Sequence, residues 1–163
     1  MAYFGEKFTG LAHYWKAYGG AKEIIRSPYF HIALIISVIL HPLWRVEGDA
    51  VPAWVEFAKS VVPSMVAFSL GALAIIFTVN SGQFFDLIRK ERSGYSYFMK
   101  LMASFSHFIV LQVSSIFGAM IVMAYRTNLL SFIFFSIFCY ALLSAIAAVG
   151  TLMGLAFIRG KNG

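Results

Sequence analysis

The chain has 163 residues, of which 60% are hydrophobic and only 12% are charged. A soluble globular domain has roughly a quarter of its residues charged, so this composition excludes an ordinary soluble domain, whose surface so few charges could not cover. Several apolar runs reach the roughly 18 to 20 residues that span a bilayer core. The composition predicts an all-α integral membrane protein with four transmembrane helices and an N-terminal amphipathic interfacial helix.

Residues 1–26 are predicted to form a cytoplasmic amphipathic segment. Large apolar side chains recur at steps of four and three, with the lysines and Glu6 off that stripe: Phe4, Phe8, Leu11, Trp15 and Tyr18. This pattern is typical of a helix that lies in the membrane interface, and a helix packed on a soluble partner is the alternative. Gly19 and Gly20 are expected to end the helix. This segment contains no short apolar core followed by a cleavage site, so a signal peptide is not predicted.

Residues 27–163 are predicted to form the transmembrane domain. Its spans are expected at about 28–44, 63–85, 98–125 and 129–158. A short interfacial helix is predicted before the second span, and Pro63 is expected to kink or restart the chain there. Only Arg126, Thr127 and Asn128 separate the last two spans, which predicts an antiparallel hairpin.

The basic residues are distributed unevenly between the two predicted sides of the membrane. One side holds Lys7, Lys16, Lys22, Arg26, Arg89, Lys90, Arg92, Lys100, Arg159 and Lys161, and the other holds Arg45, Lys59 and Arg126. Cytoplasmic segments carry the excess of Lys and Arg. Both termini are therefore predicted to lie in the cytoplasm. The same rule explains the net charge of +6, so direct binding of nucleic acid is not expected.

Small and hydroxylic residues form a stripe on the second span, at alternating steps of three and four. They are Ser64, Ala67, Gly71, Ala74, Thr78 and Ser81, with Asn80 next to the last. Between helices in lipid, small residues allow close backbone approach. One interpretation is therefore helix packing, within or between subunits, for which Gly150 and Gly154 on the fourth span offer a matching surface.

The other interpretation of the stripe is a water-filled path. The third span carries Ser104, His107, Ser114 and Gly118 at helical spacing, and polar groups at membrane depth need protein partners or a wet cavity. One four-helix subunit is too narrow for a pore. A lumen gated by dewetting therefore requires a homo-oligomer, of which a tetramer is favoured.

Two histidines suggest a minor alternative. His31 and His107 are predicted at similar depth on the first and third spans, where they could ligate a b-type haem. Each could instead be satisfied locally, His107 by Ser104. The chain has no Walker loop, dinucleotide-binding glycine pattern or HExxH sequence, so neither catalysis nor a metal or other cofactor is expected.

The middle of the chain carries a resemblance to a known family. From residue 63 to residue 125 a small-residue span is followed by a basic IRK loop, a Gly-Tyr pair and another span. In this order the chain resembles the small four-span inner-membrane proteins of prophage exclusion systems (RexB-like proteins). The resemblance implies an ion channel that depolarises the cell when a cytoplasmic sensor detects phage. Conduction and coupling would then lie at Gly71, Thr78, Asn80, Arg89, Lys90, Glu91 and Arg92.

The sequence thus predicts a membrane effector or sensor subunit of a bacterial phage-defence (abortive-infection) system. Such a subunit would alter membrane permeability when a cytoplasmic protein partner signals. The loop Arg89, Lys90, Glu91 and Arg92 is predicted to contact that partner or anionic lipid headgroups. The alternatives are a non-conducting anchor for a soluble partner and, less favoured, a haem b electron-transfer subunit.

Overall fold

The computed structural model describes residues 10, 12–78, 91–92 and 95–162, and this part of the chain is almost entirely helical. Residues 12–18 form an N-terminal helical segment. The helices that follow are α1 (Gly20–Arg26), α2 (Pro28–Ile39), α3 (His41–Trp44), α4 (Ala53–Thr78), α5 (Tyr97–Tyr125) and α6 (Asn128–Asn162). Two-residue strands β1 (Glu91–Arg92) and β2 (Tyr95–Ser96) pair antiparallel before α5.

Among the residues that the structure describes, three helices are long and apolar enough to cross a membrane. The stretches concerned are Ala53–Ile75, Phe98–Tyr125 and Asn128–Gly150. The helix α2 is also apolar but has only 12 residues, about 18 Å at 1.5 Å per residue, which is less than the roughly 30 Å of a hydrocarbon core. The all-helical prediction is confirmed, and these helices fit a membrane protein.

The first predicted span, 28–44, is divided into two helices. The helix α2 ends at Ile39, Leu40 leaves the helical conformation, and α3 begins at His41. Proline explains the break, because Pro42 has no backbone N–H to donate to the carbonyl of Val38 and its ring would collide with that carbonyl.

The chain does not restart at Pro63, as one form of the prediction had it. The helix α4 runs without interruption from Ala53 to Thr78 and contains Pro63, so the short helix predicted before the second span is its first part. Proline removes one helical hydrogen bond. Ala58 and Val62, which both precede Pro63, are buried in the apolar core, and this packing stabilises the helix close to the missing bond. The rest of this predicted span, 79–85, lies outside the described residues.

The predicted hairpin of the last two spans is confirmed. The turn residue Arg126 has a left-handed backbone (φ 46°), and its N–H donates to the carbonyl of Val122. Gly118 of α5 packs directly against Phe134 of α6, while earlier in α5 His107 meets Tyr140. The partner moves backwards along α6 as α5 advances, which is the antiparallel arrangement.

The core lies between α2, α4, α5 and α6. It contains buried side chains from all four helices: Ala33, Val55, Val62, Val122, Phe135 and Phe138. Ser131, which is fully buried, joins α3 to α4, because its hydroxyl donates to the carbonyl of Trp44 and accepts from Nε1 of Trp54 at 3.0 Å. This end of the bundle is therefore closed by two tryptophans. The candidate functional site lies at the opposite end.

Candidate functional site

A buried histidine is the centre of the polar contacts at that end. His107 of α5 is only 4% exposed. The hydroxyl of Tyr14 lies 2.7 Å from its Nδ1, and the hydroxyl of Tyr140 lies 3.3 Å from its Nε2. Neutral imidazole has one N–H and one acceptor nitrogen, so one tyrosine donates to the ring and the other accepts from it. Both ring nitrogens are satisfied by the protein.

The N-terminal helical segment supplies half of this cluster. Tyr18 stacks on His107 with ring centroids 3.9 Å apart and planes 21° apart, and its hydroxyl lies 3.3 Å from that of Tyr140. Tyr14 and Tyr18 are four residues apart and therefore share one helix face. That face lies on the bundle, whereas Trp15 is 42% exposed.

Tyr18, which was assigned to the predicted apolar stripe, thus contacts the bundle through a stacked imidazole and a tyrosine hydroxyl. The interfacial position of the helix stays a prediction. Phe4, Phe8 and Leu11, which complete the predicted stripe with Trp15, lie outside the described residues. The predicted turn after the segment is present, because Gly19 and Gly20 have φ angles of 103° and 69°, a conformation that favours glycine.

The two tyrosine hydroxyls remain protonated at neutral pH. Burial raises the pKa of Tyr14 to about 12, with a smaller contribution from Tyr140. Burial also raises the pKa of Tyr18, and its hydrogen bond with Tyr140 adds to the increase. A low-polarity setting disfavours the phenolate, so the segment is docked through neutral groups.

A cavity of about 540 Å³ lies beside the cluster, and both polar and apolar side chains line it. The N-terminal segment, α1, α2, α5 and α6 all contribute to its wall, and its polar and charged residues include Tyr18, Glu23, Arg26, Lys100, Ser104 and Ser144. The predicted pairing of Ser104 with His107 does not occur, because the Ser104 hydroxyl donates to the carbonyl of Lys100 at 3.0 Å. Two cationic side chains and one carboxylate thus share one opening. Such a cavity can hold an anionic or zwitterionic group.

The first part of the predicted stripe lies on the outer surface of α4. Ser64, Ala67, Gly71 and Ala74 are all exposed, and a Cβ placed on Gly71 would meet nothing within 4 Å among the described residues. Ser64 also lines an apolar cavity of about 490 Å³ between α4, α5 and α6. Within the described part of the chain, Gly71 therefore has no close contact with another helix of this subunit. Packing between subunits stays a prediction.

The other predicted packing and pore residues have different surroundings. Gly150 is exposed and, like Gly71, has no described residue within 4 Å of a Cβ placed on it, whereas Gly118 is buried against Phe134. Ser114 and Gly154 are half-buried. Thr78 is the last residue of α4, and Glu91 and Arg92 form β1. Asn80, Ser81, Arg89 and Lys90 lie outside the described residues.

A buried polar pair joins α4 to α5 further along the bundle. Gln112 and Ser69 are both fully buried, and Nε2 of Gln112 donates to the Ser69 hydroxyl at 3.3 Å. The Ser69 hydroxyl in turn donates to the carbonyl of Met65. The side-chain carbonyl of Gln112 has no partner among the described residues. These groups face each other inside one subunit.

The two histidines considered as haem ligands have separate surroundings. His31 is exposed, and its Nδ1 lies 2.9 Å from the carbonyl of Ser27 one turn earlier. His107 is enclosed by Tyr14, Tyr18 and Tyr140. In the described part of the chain no three His, Cys, Asp or Glu side chains come together as metal ligands.

Two residues of the cluster were missed by the sequence analysis. Tyr14 lies off the apolar stripe of its segment, and Tyr140 lies in a run of apolar residues that resembles any other lipid-facing stretch. Spacing gave a usable signal only for Tyr14, four residues before Tyr18.

Comparison of the chain with protein-family models, with curated proteins and with solved structures gives no match.

Proposed function

We propose that this chain is a membrane sensor or effector subunit that receives a signal through its N-terminal segment. The observation that carries the proposal is the docking of that segment on a buried histidine by Tyr14 and Tyr18. Removal of the segment takes one hydrogen-bond partner and one stacked ring from His107. A polar group in a membrane must find new partners, so release of the segment changes the packing of α5 on α6.

The proposed topology has four crossings, with α2 and α3 together forming the first. Both termini are then in the cytoplasm, and the bacterial inner membrane is the proposed location. The uneven distribution of basic residues supports this orientation. It also places Arg26 and Lys100, which line the cavity, on the cytoplasmic side, where a protein partner would reach the segment.

As an effector, the subunit would change membrane permeability as a homo-oligomer, with a tetramer favoured. The core of one bundle is filled by apolar side chains such as Val55, Val122 and Phe138, so a conducting path requires several copies. The exposed small-residue face of α4 supports close approach of a second copy. The resemblance to prophage-exclusion proteins supports a role in phage defence, with no resident cofactor and no catalytic step.

The test is ion flux from proteoliposomes that contain the wild-type chain or a Tyr14→Phe/Tyr18→Phe variant. If docking of the segment holds the subunit closed, the variant releases ions faster than the wild type at equal protein density. Tyr125→Phe, at a residue 70% exposed, is the matched control and should behave as the wild type. Equal flux from all three proteins at equal oligomer content contradicts the effector function.

A non-conducting anchor for a soluble partner is the second candidate. The pairing of Gln112 with Ser69 favours it, because these polar groups at membrane depth already face each other and require no water-filled path. In an anchor the docked segment would position the partner without changing permeability. Partner binding that depends on Tyr14 and Tyr18, without any flux, would identify this function.

A further inference from the structure

The cavity beside His107 is lined by charged residues that the docking of the segment does not use. Arg26 ends α1 and Lys100 lies in the first turn of α5, and both line the same space of about 540 Å³. Neither side chain forms an ion pair with any residue that the structure describes. Cavities of roughly 300 to 1,000 Å³ are the usual size of small-molecule sites. The space is therefore large enough for a ligand.

The cavity lies at the level where the apolar helices begin. Arg26 comes two residues before the start of α2 at Pro28, and Lys100 comes two residues after the start of the apolar stretch Phe98–Tyr125. Lipid phosphates lie at this boundary between hydrocarbon and water. The cavity wall also includes the apolar side chains of Ala147 and Ala148, which suit the glycerol end of a lipid.

We propose that this cavity binds a phosphate group carried by a small molecule. The Arg26 guanidinium can donate two parallel hydrogen bonds to phosphate oxygens, and the Lys100 ammonium supplies a second positive charge. The inference deepens the proposed function, on whose site it rests, because Tyr18 of the docked segment forms one wall of the cavity. A bound phosphate would then hold the segment, α1 and α5 together.

Glu23 decides which phosphate ligands fit best. Its carboxylate lines the same cavity and would repel a bare phosphate. A headgroup with a cationic amine beside the phosphate places opposite charges against Glu23 and against the two basic residues. Phosphoethanolamine has this chemistry, and it occurs both as a lipid headgroup and as a soluble ester.

The experiment is isothermal titration calorimetry on the full chain in detergent. The probes are dihexanoyl phosphatidylethanolamine, soluble phosphoethanolamine and dihexanoylglycerol, which has the same tails without the phosphate. The two phosphorylated probes share the proposed chemistry, so binding of the first alone identifies a lipid ligand, and comparable binding of both identifies a soluble ester. Dihexanoylglycerol should not bind. If neither phosphorylated probe binds, or if dihexanoylglycerol binds equally well, the inference is overturned.

Charge-neutral variants test the assignment of residues. Arg26→Gln and Lys100→Gln should each weaken binding by about tenfold, which is typical of losing a charge-assisted hydrogen bond. The matched controls, Arg45→Gln and Lys59→Gln, remove the same charges from residues outside this cavity and should bind as the wild type does. Unchanged binding in the first pair overturns the inference. Because no flux is measured, a failure here leaves the response to Tyr14→Phe/Tyr18→Phe as a separate test of the proposed function.

Discussion

The hydroxyl of Tyr14 lies 2.7 Å from Nδ1 of His107, which is 93 positions further along the chain. The contact joins a segment outside the predicted spans to the interior of a helix that can cross a membrane. Stacking of Tyr18 on the same ring adds a second attachment one turn later. The buried imidazole is therefore the point at which a change in the N-terminal segment reaches the bundle.

Replacement of Tyr14 by Phe should loosen the N-terminal segment. The change removes one hydrogen bond and leaves Nδ1 of His107 without its partner, at an expected cost of about 1 to 3 kcal/mol of docking free energy. Hydrogen exchange at the amides of residues 12–18 measures this loss as reduced protection. Tyr125→Phe should leave their protection unchanged. Full protection in Tyr14→Phe would show that this bond does not hold the segment.

High pH should release the same segment. Burial raises the pKa of Tyr14 from 10.0 to about 12 and shifts that of Tyr18 in the same direction, so docking favours the protonated hydroxyls. This contribution is fully present below about pH 10 and is lost as the pH rises from about 10 through 12. A spin label at Ala12→Cys should gain mobility over that interval. This pH-dependent gain in mobility should disappear when Tyr14 and Tyr18 are both replaced by Phe. If it persists in that variant, groups other than these two tyrosines cause it.

Alanine substitutions at two glycines should have opposite effects on stability. A Cβ at Gly118 would collide with Phe134 of α6, whereas a Cβ at Gly150 would meet nothing within 4 Å among the described residues. Overpacking typically costs about 1 to 3 kcal/mol, and Ala favours the helix over Gly by about 1 kcal/mol. Thermal unfolding of the monomer in detergent should show a lower Tm for Gly118→Ala and an equal or higher one for Gly150→Ala. Equal Tm values for both variants would contradict the close contact at Gly118.

Replacement of Gln112 by Leu should leave stability unchanged or increase it slightly. The side-chain carbonyl of Gln112 is buried without a partner among the described residues, and removing such a group avoids its desolvation cost. Ser69→Ala should instead lower the free energy of unfolding by about 1 to 3 kcal/mol, because it leaves the Gln112 amide without its acceptor. Chemical unfolding in detergent compares the two. Strong destabilisation by Gln112→Leu would indicate that a water molecule satisfies the carbonyl.

Helix periodicity and turn residues predicted some elements well and others poorly. The helix predicted at 98–125 and the hairpin at Arg126 agree with the structure, because a long apolar run and a predicted turn of only three residues leave the chain little choice. Pro63 was misleading, since a proline inside a helix removes one hydrogen bond but does not end this helix, in which Ala58 and Val62 just before it are buried. Pro42 does end one, and the sequence pattern around the two prolines does not distinguish them.

The sequence by itself determined the class of the protein, because apolar runs of bilayer length and a low charge content require burial in lipid or in other helices. It also singled out His107 as a polar group that needs a partner. Only the tertiary structure decided which partner it has, since Tyr14 and Tyr140 come from distant segments and are brought together by packing. The same packing places Gly118 against α6 and leaves Gly71 on the outer surface. Small residues allow close approach on any helix face, and the position of the neighbouring helices decides which face is used.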